Sequence, residues 1–164
     1  MQPNRLWDSR GGKSTMFIRS YEQQDVEAVI ELMADLGYPT NKEALSARME
    51  KIASIPSYYT FVAVRDGQAV GMIGCRDIFY YEEDGMVVQI SLLVTKQSEQ
   101  GSGIGTALVA YTEQWARERG ASALYLTSGI KESRKKAHAF YEARGFDITG
   151  YRFVKKLTMH ELGN

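Results

Sequence analysis

At 164 residues, with 44% hydrophobic and 24% charged side chains, the chain has the length and composition of one globular domain, which excludes a disordered protein. Twenty Lys and Arg against twenty Asp and Glu give zero net charge, so the long-range field of a general nucleic-acid binder is missing. Cys75 is the single cysteine, so no intrachain disulfide forms and no metal site is expected.

The first fifteen residues carry Arg5, Asp8, Arg10 and Lys13 without an apolar block; they read as a mobile tail, not a secretory signal. One domain is expected over 16–164. The longest strongly apolar stretch, Met86 to Val94, is broken by Gln89 and Ser91 and falls far short of the ~20 residues of a spanning helix. A cytoplasmic protein with no membrane partner is the expectation.

Pattern begins with a short strand at Met16–Ser20. Val26, Val29, Ile30 and Met33 recur at helical spacing behind Asp25, a helix-capping residue, until Gly37-Tyr38-Pro39 breaks the run. Thr40 to Glu43 fits a capping box ahead of a second helix with Leu45, Met49 and Ile52 on its apolar face. Tyr58–Arg65 then reads as a strand meeting Asp66-Gly67, a strong hairpin signal, with Ala69–Phe79 returning antiparallel. Met86–Val94 adds a third member to this meander.

Helical spacing resumes at Ile104, Leu108, Tyr111 and Trp115 and stops at Gly120. Ala123–Thr127 is a short strand, and Ala137, Phe140 and Tyr141 mark a last helix ended by Gly145. Phe146–Ile148 and Tyr151–Leu157 are expected as two closing strands. The strand–helix–strand unit in the middle requires a parallel, right-handed crossover. The fold class is therefore mixed α/β: a central, mostly antiparallel sheet of about seven strands with helices on both faces.

Chemistry concentrates where the Met86–Val94 strand turns into the next helix, in SLLVTKQSEQGSGIGTAL. Gly101, Gly103 and Gly105 permit close backbone approach, and the first N–H groups of the helix have no intrahelical acceptor. With the positive end of the helix dipole they make an anion site suited to phosphate. A dinucleotide fingerprint fails, because Thr106 or Leu108 occupies its third glycine, and Gly12-Lys13-Ser14 lacks the first glycine of a P-loop. A Gly-rich turn into a purely structural helix is the competing reading of this loop.

Gln100-Gly101-Ser102-Gly103-Ile104-Gly105, followed one strand later by Ala137, Phe140, Tyr141, Gly145 and Phe146, resembles the paired motifs of the GNAT superfamily of acyl-CoA-dependent N-acyltransferases. The resemblance runs from about Phe17 to Leu157. It implies acetyl-CoA as cosubstrate, its diphosphate on backbone N–H groups from Gln100, Gly101, Ser102, Gly103, Ile104 and Gly105 to Thr106. The pantetheine arm would lie beside Leu92, Leu93 and Val94, with the Val94 N–H facing the thioester carbonyl.

The same resemblance implies that the Tyr141 hydroxyl protonates the departing thiolate; the plainer reading is an amphipathic core tyrosine. Arg134 stands where relatives carry an Asn against pantetheine, so it reaches a CoA phosphate or simply coats its helix. His138 reads as decoration of the same helix, and Cys75 as a small apolar side chain in a strand. Relatives place their general base at positions that here hold Val88 and Ile90. Asp77, Glu82, Glu83, Asp84, or a water chain near Gln89 and Ser91, are the substitutes, and none stands out.

The implied activity is acetyl transfer to a primary amine of a small molecule by direct attack in a ternary complex. The aromatic residues and Glu82-Glu83-Asp84 would suit a cationic acceptor such as a polyamine or aminoglycoside. Acetylation of a peptide amine and a non-catalytic acyl-CoA sensor are the alternatives. A homodimer is common in the superfamily, but no interface stands out.

Overall fold

The Asp66-Gly67 turn adopts left-handed backbone at both positions (φ 50° and 77°), the geometry whose twist matches paired strands, and it joins β2 (Tyr58–Arg65) to β3 (Gln68–Phe79). The computed structural model describes residues 15–157, so the expected N-terminal tail lies outside the described residues except for Thr15. Contacts divide the chain between Leu126 and Thr127 into two compact units.

In the first unit, β1 (Met16–Ser20), β2, β3 and β4 (Met86–Thr95) form an antiparallel meander, and β5 (Leu124–Leu126) joins β4 in parallel. The helices are α1 (Val26–Leu36), α2 (Lys42–Ala53) and α3 (Ile104–Glu118), the last crossing from β4 to β5. Leu32, Met33, Leu45 and Met49 from α1 and α2 pack with Val62, Val64, Met72 and Val94 from one face of the sheet. On α3 the buried positions Ile104, Leu108, Thr112 and Trp115 recur at the helical period. No described helix is long and apolar enough to cross a membrane.

Two expected caps take different forms. The α2 N-terminus is capped by Asn41, whose Oδ1 accepts from the Ala44 N–H at 2.8 Å, in place of a Thr40–Glu43 box. Asp25 precedes α1 but turns back, accepting from both Nη atoms of Arg19 (2.7 and 2.9 Å) and from the Glu22 N–H (2.8 Å). Burial alone would raise the Asp25 pKa, but those hydrogen bonds outweigh it and hold the carboxylate below its ordinary range.

The second unit contains α4 (Lys135–Ala143). The two closing strands expected at Phe146–Ile148 and Tyr151–Leu157 do not form, and among the described residues the sheet has five strands instead of about seven. Gly145 (φ 90°) closes the helix, and the Phe146 N–H is taken by the Tyr141 carbonyl at 3.1 Å. Beyond it, Ile148, Tyr151, Phe153 and Leu157 are exposed. Aromatic and β-branched residues make a strand only where a neighbouring ladder receives them.

Candidate active site

The main-chain part of the site follows from a bulge. Cys75 pairs with Ile90 and Gly74 with Leu92, which leaves Ser91 as an extra residue on β4. β5 pairs only with Val88–Ile90, so that side of the β4 ladder ends at the bulge. The hydrogen bond from Lys96 N–H to the Val70 carbonyl (2.9 Å) sets the alternation beyond it. In an antiparallel pair every second residue exchanges bonds with its partner, so Val94 and Leu92 direct their amides at β3. Leu93 and Thr95 direct theirs to the opposite, unladdered edge. By this parity the Val94 N–H faces β3, and the amide that faces the edge beyond the β5 ladder is that of Leu93.

Side chains follow the same parity. Val94 is buried in the α1/α2 core and Leu92 packs against it. Gly71 on β3 is what lets α3 come down on this region: an added Cβ would stand 2.6 Å from Ile104 Cγ2 and 3.0 Å from Leu108 Cδ1. Sequence reading passed over Gly71, although a glycine inside an apolar strand is a sign of close approach by another element.

Between β4 and α3 the loop from Gln97 to Gly103 is pinned at its base. Asp35 Oδ2 accepts from the Gln97 N–H at 2.9 Å, and Arg65 Nη1 donates to Glu99 Oε2 at 2.7 Å. Gly101 and Gly103 both take positive φ (81° and 88°), and Gly103 is the N-cap of α3 with no side chain closing the helix end. The first hydrogen bond of the helix runs from Ala107 N–H to the Gly103 carbonyl. The amides of Ile104 and Gly105 precede it in the first turn, where helix geometry offers no acceptor one turn back, while within the loop Gln100 N–H donates to the Gln97 carbonyl (3.3 Å) and Ser102 N–H to the Glu99 carbonyl (3.2 Å). This loop therefore fits a diphosphate, and the open β4 edge fits an amide-bearing arm.

Leu92, Leu93, Val94 and residues Gln100 to Thr106 are thus brought to one junction in the first unit. Arg134 and Tyr141 belong to the second. There Tyr141 is half-buried, edge-on to Phe140 (5.4 Å) and Phe146 (5.8 Å), and burial raises its phenol pKa against a smaller opposing effect of Arg134. The hydroxyl is therefore a proton donor at neutral pH. Arg134 reaches Ser128 Oγ (3.3 and 3.4 Å), and His138 Nε2 lies 2.8 Å from the Gly129 carbonyl oxygen.

The substitute bases separate clearly. Val88 and Ile90 are buried, and Glu82, Glu83 and Asp84 are exposed at the β3–β4 turn. Asp77 accepts both Nη donors of Arg119 at 2.7 Å, and Arg119 also stacks over Trp115 (4.4 Å) and donates to Tyr59 Oη. A carboxylate so held is a structural partner. Burial, and secondarily the charge of Asp77, push the Cys75 thiol up to about 12, which makes it inert.

Residues 26–146 match the acetyltransferase (GNAT) family. The aminoalkylphosphonate N-acetyltransferase of Salmonella typhimurium is 29% identical over 145 residues, 85% of this chain and 90% of that protein. A GNAT family acetyltransferase from Staphylococcus aureus superposes with a TM-score of 0.76 at 25% identity, covering 87% of this chain and 98% of its own. An aminoglycoside N-acetyltransferase solved in complex with CoA gives 0.75 at 20% identity, covering 90% and 97%.

Proposed function

The chain belongs to the acetyltransferase (GNAT) family, whose members use acetyl-CoA, and from that premise we propose that it transfers acetyl to the primary amine of a small molecule by direct attack in a ternary complex. The observation that carries the reading is the β4–α3 junction: the strand edge from Ser91 to Thr95, beyond the β5 ladder, leads into a glycine loop that ends at a helix N-terminus. Two relatives are named for amine acceptors, an aminoalkylphosphonate and an aminoglycoside, and both are small molecules.

The residues divide the work. Within the Gln100–Thr106 segment the amides of Gly101, Gly103, Ile104 and Gly105 hold the diphosphate, helped by the α3 dipole, while those of Gln100 and Ser102 are spent on the Gln97 and Glu99 carbonyls and shape the loop. The Leu92–Val94 edge aligns the arm of CoA as an extra strand, and the Leu93 N–H, in place of Val94, faces the thioester carbonyl oxygen as charge develops on it. The neutral amine attacks the carbonyl carbon, the carbon–sulfur bond breaks, and the Tyr141 hydroxyl gives its proton to the leaving thiolate. The amine loses its own proton through water, since neither Val88 nor Ile90 can accept it. Arg134 is assigned to the CoA phosphates.

A thermal-shift titration with acetyl-CoA, CoA, NAD and ATP, followed by thiol release with a panel of amines, tests this. A ligand at 100 times its Kd adds about 2.7 kcal/mol, or roughly 5–10 °C in Tm. A shift with acetyl-CoA and CoA alone, with amine-dependent thiol release, is the expected result. CoA binding without release from any amine would leave an acyl-CoA sensor; no shift at millimolar CoA would overturn both.

A further inference from the structure

Four arginines of the first unit hold a carboxylate: Arg19 on Asp25, Arg65 on Glu99, Arg117 on Glu113 and Arg119 on Asp77. Arg76 is different. Its Nε donates to Gln89 Oε1 at 2.6 Å and its Nη1 to Tyr58 Oη at 3.2 Å, both neutral groups, and no carboxylate among the described residues pairs with it. The side chain is half-buried. Its neighbour Asp77 points to the other face of the sheet and is held by Arg119, and Glu82, Glu83 and Asp84 are exposed at the hairpin.

A guanidinium keeps its charge at every accessible pH and carries five donors in a planar fork. Two of them fix its orientation here, which leaves the others for a ligand. Partial burial without an anion is unfavourable, and the fork matches a carboxylate or phosphonate. Tyr58, Arg76 and Gln89 are register partners across three strands and so share a face. That is the α1/α2 face, because Met72, four residues back along β3, lies in the core with those helices. Gly74, the residue between them on that face, contributes no side chain, and it pairs with Leu92 at the bulge. A half-open cavity of about 200 Å³, lined by Tyr21, Met49, Ile52 and Thr60, shares Tyr58 with this trio, while Arg76 and Gln89 lie outside its lining. Its size suits a small acceptor better than a drug-sized one.

We propose that Arg76 anchors the acid group of the acceptor, so that the substrate is a small primary amine carrying a carboxylate or phosphonate at its other end. This rests on the acetyltransferase reading above. Gln89 stands four residues from Leu93, on the order of 13 Å along the strand, and less across the bulge. An amine and acid group a few ångströms apart, together with a hydrogen bond of about 3 Å and the long arginine side chain, span that interval. The Arg76 cation, held by neutral groups only, and not the exposed acidic turn, selects the acceptor.

The test compares acid-bearing amines with neutral-ended ones: β-alanine against the near-isosteric β-alaninamide, and 2-aminoethylphosphonate against ethanolamine, with spermidine as the cationic probe. Thiol release is measured for wild type and Arg76→Gln, and CoA Kd and Tm are measured for both. The expected result is a kcat/KM at least tenfold higher for the acid-bearing amines. In Arg76→Gln, KM should rise 10–100-fold for them alone, while the CoA Kd stays unchanged. The ratio between the two acid-bearing amines shows whether a carboxylate or a phosphonate is preferred. Preference of the wild type for spermidine, or an equal loss on neutral and acidic acceptors in the variant, overturns the proposal and leaves the transferase reading standing. Failure to acetylate any amine overturns the transferase reading and this proposal with it.

Discussion

The β4–α3 junction and the segment after Leu126 are both assigned to one reaction, yet they are built differently. The junction is packed: Val94, Ile104 and Leu108 are almost wholly buried, and the groups offered to a ligand are amides fixed by ladder and helix. After Leu126 no described residue reaches that burial, and Ile130, Ile148, Tyr151, Phe153 and Leu157 are largely exposed. What that segment is proposed to contribute is side chains alone, the Tyr141 hydroxyl on a nine-residue helix and the Arg134 guanidinium just before it. A site made of main chain is positioned by the whole core and tolerates side-chain change. A site made of one side chain depends on a single rotamer and is removed by a single atom.

The largest effect is expected from breaking the main-chain half. Leu93→Pro deletes an N–H that serves no ladder, so stability should change little, since proline is tolerated where the lost donor faced outward. The kcat of thiol release should fall about 10²–10³-fold, the usual loss for one oxyanion donor. Val94→Pro removes a bond to β3 and should instead lower Tm. Equal behaviour of the two variants would show that Leu93 and Val94 are not distinguished as the bulge requires.

Next comes the side-chain half. Tyr141→Phe should lower kcat about 10²-fold, at the low end for a general acid because a thiolate leaves readily, with CoA Kd and Tm unchanged. Burial holds the phenol above its ordinary pKa, so its proton stays on through neutral and mildly alkaline pH. The ratio of wild type to variant should therefore be flat from about pH 6 to 9 and close only above about pH 10, as the wild-type hydroxyl ionises. A ratio that already closes near pH 8 would reject Tyr141 as the acid.

The same contrast decides how much was readable in the sequence. Asp66-Gly67, the α3 period from Ile104 to Trp115 and the glycine loop are local signals, and each gave an element in its place. The Ser91 bulge is a tertiary event: one extra residue exchanges the two faces of β4, and no spacing within Met86–Val94 announces it. The expectation at Val94 came from the resemblance alone, and the parity beyond the bulge is what moves the proposal to Leu93. Tyr151–Leu157 has strand-like composition, but pairing is a property of two segments and only one was in view. Arg76 was overlooked because an arginine next to Asp77 in a strand is unremarkable until its partners are seen to be neutral.

A smaller effect tests whether the junction is placed by its packing. Gly71→Val drives a branched side chain into Ile104, which is 1% exposed and has no room to retreat. Overpacking of this kind costs about 1–3 kcal/mol, read as a lower Tm. The CoA Kd should rise with it, because α3 carries the diphosphate amides. A fall in Tm with unchanged CoA affinity would separate the loop from the helix beneath it.

The smallest expected change isolates backbone shape. At Gly103 an added Cβ meets nothing within 4 Å, so Gly103→Ala introduces no clash within the protein. What it introduces is a side chain at φ 88°, a left-handed conformation that costs an L-residue roughly 1–2 kcal/mol. Part of that cost is escaped if the free protein relaxes the loop to negative φ, and the strain then reappears when CoA demands the original shape. Tm without ligand should therefore drop by only about 2–4 °C, as for 1 kcal/mol in a domain of this size. The CoA Kd should rise by about tenfold or less. Alanine at Gly150, which lies outside the loop without positive φ and where an added Cβ meets nothing within 4 Å, provides the reference and should leave CoA affinity unchanged. If Gly103→Ala binds CoA as wild type does, the left-handed turn is a property of the helix cap alone, and the diphosphate is held by amides further along α3.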